Sequence, residues 1–285
     1  MSFDANRHRD ASLENWEAAA SGWVRRQAMM REHAAPVSHW MLDAISPQPG
    51  QRVLELAAGL GETALLAAEL VAPMGGVVIS DQAEAMLAGA RERAAELGLS
   101  NVEFQVLNAE WIDLPLASVD AVLCRWGYML MADPATALSE ARRVLRPGGR
   151  VALAVWDDIE RNPWAALPGA ELRDRGLVAQ GAGAASEPGP FALGSRERVE
   201  ALLAEAGFGE IDVDAIDLTR RHSSFEELWD TTLDLSRSFH DAVLGRPEAE
   251  IEQVRRSLAE RFAPFAEDDG TLAIPARTLV AAASA

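Results

Sequence analysis

The 285-residue chain contains a single cysteine, Cys124, so it can build neither a disulfide framework nor a cysteine-based zinc site, and no metal is expected. No apolar run approaches the roughly 18 residues that a membrane helix requires. With 49% hydrophobic and 25% charged residues, the make-up is that of a soluble globular protein. The opening ten residues have neither an apolar core nor a small-residue cleavage site, so no secretory signal is expected and a cytoplasmic setting is the default. Basic residues are few: 26 Lys and Arg stand against 44 Asp and Glu, a formal charge of −18. Such a surface repels phosphate backbones, so nucleic acid and anionic membrane are set aside as partners. The length allows two domains or one enlarged α/β domain.

The chain is organised around Val53-Leu54-Glu55-Leu56-Ala57-Ala58-Gly59-Leu60-Gly61-Glu62-Thr63. A continuous apolar run suits a parallel strand buried on both faces. A small-residue turn feeding a helix brings backbone N–H groups close to an anionic or polar ligand. A dinucleotide fingerprint needs a third glycine three residues after the second, and here that place holds Ala64. With Glu55 closing the strand, the pattern favours S-adenosylmethionine over NAD. Glu55-Leu56-Ala57-Ala58-Gly59-Leu60-Gly61 resembles the first motif of class I S-adenosylmethionine-dependent methyltransferases, with Ala57 in the first glycine's place. A negative φ at Ala57 would still let the backbone approach a ligand.

Further matches follow in order. Val77 to Ser80 reads as a second strand ending at Asp81, 20 residues past Gly61, where a carboxylate can accept from both ribose hydroxyls or cap the next helix. Asp81-Gln82-Ala83-Glu84-Ala85-Met86 resembles the family's second motif, Met86 being core or an adenine contact. A third strand, 102–107, leads to Asn108-Ala109-Glu110. The resemblance implies that this turn reads the adenine edge, with an uncharged amide at Asn108 where family members typically have Asp. A fourth strand, 119–124, runs into Arg125-Trp126-Gly127-Tyr128. Over the carboxyl ends of such strands the ligand lies, so this segment should line the methyl-transfer cleft. Arg142-Arg143-Val144-Leu145-Arg146-Pro147-Gly148-Gly149-Arg150 closely resembles the superfamily's turn into a fifth strand ending at Trp156. Four spaced matches over 53–156 carry the resemblance.

Ahead of the first strand, residues 12–31 read as an amphipathic helix with Leu13, Trp16, Ala20, Trp23 and Gln27 on one stripe, and Pro36 suits the first turn of a second helix. The resemblance implies that a tryptophan-bearing leader closes the site, which makes Trp23 a cofactor candidate. Beyond 156, the Gly/Ala/Pro-rich 179–190 stretch reads as a mobile loop. A helix over 195–206 precedes a sixth strand, 210–218, and an inserted helical segment, 224–264, separates that strand from a closing one, 271–283. The resemblance therefore implies one doubly wound α/β methyltransferase sheet of seven strands, order 3-2-1-4-5-7-6, with an antiparallel last strand. Residues 1–48 form a helical lid, 50–156 the cofactor-binding half and 157–285 the substrate-side half.

The expected cofactor set is Trp23, Glu55, Ala57, Ala58, Gly59, Gly61, Asp81, Gln82, Met86, Asn108, Ala109, Glu110, Cys124 and Arg125. Free cysteine usually packs as a small apolar residue. Methyl transfer from a sulfonium needs alignment, exclusion of water and, for a hydroxyl acceptor, a base. His33, His222 and Tyr128 are candidates, as are His39 and His240, and the sequence does not rank the histidines. The Asn/Asp-Pro-Pro-Tyr/Phe motif for a planar amine is absent, which argues against nucleobase or amide nitrogen. Trp126, Tyr128, Met129, Met131, Trp156, Trp164, Phe225 and Trp229 suggest an apolar cleft for a hydrophobic, aromatic or polyketide-like small molecule, methylated at oxygen or carbon. The rivals are an NAD-dependent oxidoreductase and an inactive methyltransferase-like binding protein. A homodimer is compatible with the sequence.

Overall fold

The computed structural model describes residues 3–178 and 187–285; most of the stretch expected to form a loop, 179–186, lies outside them. Two helices lead the chain, α1 (Ala5–Arg25) and α2 (Gln27–Ile45). The α/β units follow: β1 (Arg52–Glu55), α3 (Glu62–Val71), β2 (Gly76–Asp81), α4 (Glu84–Glu96), β3 (Val102–Val106), β4 (Val119–Arg125), α5 (Pro134–Val144) and β5 (Leu145–Trp156). Then come α6 (Pro163–Asp174), α7 (Arg196–Glu205), β6 (Gly209–His222), the inserted α8 (Phe225–Leu235), α9 (Arg237–Leu244) and α10 (Glu248–Phe262), and finally β7 (Leu272–Ser284).

Seven strands form one sheet in the order β3-β2-β1-β4-β5-β7-β6. β1 pairs in parallel with β2 and β4, whereas β7 runs antiparallel to both β5 and β6. The order in which the chain adds strands reverses between β1 and β4, so their carboxyl ends open a crevice at the switch point. The central strands are apolar on both faces because helices cover both. Val53, Leu54, Val78, Ile79, Val122 and Leu123 are at most 1% exposed and share one core with α2, α3, α4 and α5. A second apolar cluster, with Leu228, Trp229, Phe239 and Phe262, lies under the insert.

Three local expectations need correction. The first helix begins at Ala5, because Asp4 accepts the Asn6 and Arg7 N–H groups as its cap. The break between the two leading helices falls at Arg26, so Pro36 sits in the interior of α2. A proline there costs about 3 kcal/mol, offset by burial of Ala34, Val37, Met41, Leu42 and Ile45 on the same helix. The sixth strand continues four residues beyond 218, paired with β7 as far as His222 opposite Leu272; Arg220 and His222 thereby become sheet residues.

Candidate cofactor-binding site

The turn after β1 is a left-handed staircase: Ala57 has φ +49°, Gly59 +55° and Gly61 +74°. Alanine therefore does not keep the negative φ expected of it, and sits in a conformation that L-residues adopt at a cost of about 1 kcal/mol or more. The Ala58 N–H donates to the Ser80 carbonyl at 2.9 Å, tying the turn to β2. Gly61 opens α3 and packs against Ile79 and Ala90, where an added Cβ would stand 3.3 Å from Ala90 Cβ. Trp126, just past β4, is one of four other non-glycine residues at positive φ among the described residues, +59°, and with Ala57 one of the two that line the adjoining cavity. Strain of this kind collects where backbone is shaped around a ligand.

These turns wall a cavity together with α1 and the start of α2. Its lining includes Trp23, Ala57, Ala58, Gly59, Asp81, Gln82, Met86, Asn108, Ala109, Glu110 and Arg125 from the expected set. Asp81 is 7% exposed. Its Oδ2 accepts the Gly59 N–H at 2.8 Å and its Oδ1 the Ala83 N–H at 2.9 Å. Burial raises its pKa and the backbone donors oppose the shift. The acid thus holds the glycine turn and the α4 entrance at once, while its remaining lone pairs face the cavity. Asn108 Oδ1 accepts the Glu110 N–H at 2.9 Å, which fixes the turn and leaves the side-chain N–H₂ without a protein acceptor among the described residues. Leu60, Met86, Leu107 and Ala109 form an apolar stretch of wall.

Three expected cofactor residues stand behind the wall rather than in it. Glu55 is 1% exposed, and its Oε2 accepts the Ala64 N–H at 2.8 Å across the turn. Burial pushes its pKa up to about 7 against the pull of Arg125. Gly61 faces α4, as its packing shows. Cys124 is fully buried in the sheet core, where desolvation pushes its thiol well above the ordinary range. The base candidates are displaced too. Tyr128 is 0% exposed in the turn after β4, its hydroxyl is unpartnered, and burial raises its pKa well above 10. His33 and His222 pack against each other beyond the cavity, and His39 and His240 do not line it.

The residues that sequence reasoning missed come mostly from α1. His8 lines the cavity with Nε2 2.9 Å from the Leu130 carbonyl oxygen. Arg9 donates from Nε to Glu110 Oε2 at 2.9 Å, and Ser12 accepts from Gln82 Nε2 at 2.9 Å. Glu17 accepts the Glu84 N–H at 2.7 Å at the positive end of α4. Trp16 and Trp23 meet edge to face, 5.5 Å apart, over Leu60 and Met86, and both line the cavity. The helix cap at Asp4 was the available signal.

The aromatic cleft is rearranged. Trp126 and Met131 line the cavity, but Trp156 stacks behind Trp126 at 4.4 Å and 13°. Tyr128 and Met129 are core, and Phe225 and Trp229 belong to the cluster under the insert. The apolar wall is instead Trp16, Trp23, Met30, Trp126, Leu130 and Met131. Among the described residues no group of three or more His, Cys, Asp or Glu is placed to hold a metal, and no helix is long and apolar enough to cross a membrane.

The donor set fits S-adenosylmethionine. Asp81 presents carboxylate oxygens for a ribose, and Leu60, Met86, Leu107 and Ala109 suit a flat base. Arg125, Trp23 and Gln27 also line the cavity, and with Trp23 Nε1 and Gln27 Nε2 lacking acceptors they suit an amino acid carboxylate.

Residues 47–179 match a family profile described as Methyltransferase domain. An arsenite methyltransferase from Halobacterium salinarum is 31% identical over 69% of this chain and 46% of its own length. An aklanonic acid methyltransferase from Streptomyces sp. is 34% identical over 42% of this chain and 55% of its own. The chain thus spans about half the length of these relatives. A Bacillus halodurans C-125 protein, solved as a candidate methyltransferase, superposes with a TM-score of 0.56 at 21% identity, covering 87% of this chain and 97% of that one.

Proposed function

The chain belongs to the class I S-adenosylmethionine-dependent methyltransferase family, and on that premise we propose that it transfers a methyl group from S-adenosylmethionine to a hydrophobic, aromatic or polyketide-like small molecule, at oxygen or carbon. The observation that carries the reading is the cavity itself, whose wall joins a carboxylate and a glycine turn to six large apolar side chains, Trp16, Trp23, Met30, Trp126, Leu130 and Met131.

S-adenosylmethionine supplies an electrophilic methyl group on a sulfonium. Asp81, with the Gly59 and Ala83 amides it organises, holds the ribose, and Asn108 offers its free amide to the base edge. Arg125, steadied by a 3.1 Å bond from Nε to Thr63 Oγ1, takes the amino acid carboxylate. The apolar wall orients the acceptor and excludes water, and because charge is annihilated in the displacement, a dry apolar site favours it. His8 is the imidazole at the cavity. Its Nε2–H donates to Leu130, which leaves Nδ1 as an acceptor for a hydroxyl proton. The aklanonic acid relative lends the polyketide class support as a comparison between proteins.

Calorimetric titration with S-adenosylmethionine, S-adenosylhomocysteine and NAD tests the cofactor, and turnover on a panel of phenols and polyketides tests the acceptor. Tight NAD binding would favour an oxidoreductase. Cofactor binding without turnover on any acceptor would favour a binding protein.

A further inference from the structure

Arg220 and His222, two residues apart on β6, share one face of the strand. Arg220 is 9% exposed, with its guanidinium carbon 4.4 Å from the Trp164 ring centroid. Among the described residues its side chain makes no hydrogen bond and no ion pair. His222 is 2% exposed, and neither ring nitrogen has a partner. His33 on α2 faces it edge-on, ring centroids 6.1 Å apart. The Arg221 N–H donates to His33 Nε2 at 3.3 Å. That contact assigns the ring proton to Nδ1, a buried donor with no acceptor.

Buried cations are ordinarily paired, and buried donors ordinarily bonded. The nearby carboxylates are engaged elsewhere. Glu227 accepts the Ser223 N–H and hydroxyl at 2.6 and 2.7 Å, and Asp234 takes Arg25 and Arg26. Glu227 acts on both histidines and Glu32 on His33 without a hydrogen bond to either, opposed by Arg220 and, at His222, by His33 and Arg26. What remains is a cluster of donors: five guanidinium N–H groups, one imidazole N–H on His33 and one on neutral His222. Such an inventory lacks one thing, an anionic oxygen.

The cluster adjoins the proposed acceptor site by two independent routes. Gln27 and Met30 wall the cavity, and His33 is the next position along that face of α2. On the sheet side, Trp126 of the wall stacks on Trp156, which meets Trp164 at 4.9 Å, the ring under Arg220. Asn162 holds that ring in place, accepting Trp164 Nε1–H at 3.0 Å.

We propose that Arg220, with His222 and His33, forms the subsite for an anionic oxygen of the methyl acceptor, a carboxylate or ionised phenol or enol carried on an apolar body. The proposal rests on the methyl-transfer reading and narrows its substrate class.

The test is titration of the protein, with and without S-adenosylhomocysteine, with 2-naphthoate and its neutral isostere 2-naphthamide at pH 7.5. Wild type is expected to take naphthoate about tenfold more tightly, as a charge-assisted pair would provide. Arg220→Gln should bring the two within about twofold while S-adenosylhomocysteine affinity stays unchanged. His222→Gln, a milder change, should weaken naphthoate severalfold and leave naphthamide alone, and stands in should Arg220→Gln not fold. A wild type that takes both probes alike, or neither, overturns the subsite; so does a folded Arg220→Gln that loses thermal stability yet keeps the preference, which would make the residue a structural partner of Trp164. S-adenosylhomocysteine binding without naphthoate preference removes this inference and leaves methyl transfer standing. Naphthoate preference in a protein that binds no S-adenosylhomocysteine overturns both the methyl-transfer reading and the acceptor subsite, leaving only an anion site at Arg220.

Discussion

Gly22 of α1 lies against the Asp234 carbonyl of α8 so closely that a Cβ at position 22 would overlap that oxygen. One turn on, Arg25 and Arg26 of the same stretch reach the Asp234 carboxylate. Helix α1 is therefore docked at both ends, onto the insert here and onto Glu110 through Arg9. Gly22→Ala should push α1 off α8 and weaken S-adenosylhomocysteine binding about tenfold, the loss of roughly one good contact. Because alanine is the better helix former by about 1 kcal/mol, a loss cannot be blamed on helix propensity. Calorimetry reads the affinity, and amide exchange over residues 5–25 should quicken; unchanged affinity would show that α1 does not close the site.

Asp81 offers a second prediction because it serves two masters. Asp81→Ala removes the acceptor for two buried N–H groups, Gly59 and Ala83, so it should cost both about 1.5–3 kcal/mol of cofactor affinity and about 1–3 kcal/mol of stability. Asp81→Asn keeps one acceptor oxygen and should recover most of the stability but only part of the affinity. An alanine variant that melts early yet binds S-adenosylhomocysteine with the wild-type constant would reduce Asp81 to a cap.

Much of this was legible because short-range patterns decide it. Apolar runs broken by glycine turns at Gly59-Leu60-Gly61 and Pro147-Gly148-Gly149 set β1, β4 and β5 and, with the resemblance, the sheet order. Which side of the wall a residue takes was less legible. Glu55 and Cys124 lie within motifs that touch the cavity, yet strand alternation and the turn's left-handed φ values send their side chains into the core. The lid contacts of His8, Arg9, Ser12 and Glu17 were not legible, since each depends on where α1 docks across more than 60 residues of sequence. The place of Arg220 and His222 in the sheet was hidden by β6 running past a plausible stop: Thr219 to His222 has no apolar alternation, and only pairing with β7 keeps it extended.

Ala57 sits at φ +49° where the family pattern has glycine. Relief of the left-handed strain, about 1–2 kcal/mol, exceeds the extra unfolded-state entropy of glycine, about 0.5–1 kcal/mol. Ala57→Gly should therefore stabilise the protein by about 0.5–1 kcal/mol in urea unfolding, with cofactor affinity unchanged. Ala57→Val should destabilise it, since a β-branched residue at positive φ is an outlier. A less stable glycine variant would mean that the methyl group's packing beside Gly127 outweighs the strain.

Glu55 and His222 carry opposite pH slopes in nearly the same window. Burial raises Glu55 from 4.5 to about 7, so the folded state binds the extra proton between those values and stability falls as pH rises through them. Burial and Arg220 lower His222 from 6.5 to about 4. There the unfolded state binds the proton, and stability falls as pH drops from 6.5 towards 4. Each shift is worth up to about 3 kcal/mol, and the two largely cancel between pH 4.5 and 6.5. Glu55→Gln, which keeps an oxygen for the Ala64 N–H, should unmask the histidine, gaining stability relative to wild type as pH rises from 5 to 7.5. His222→Asn should do the opposite, gaining relative to wild type as pH falls. Urea unfolding at a series of pH values checks both. A Glu55→Gln profile parallel to wild type would mean that Arg125 keeps Glu55 ionised throughout, and with it that the cation at the cavity wall is already half-neutralised before any carboxylate arrives.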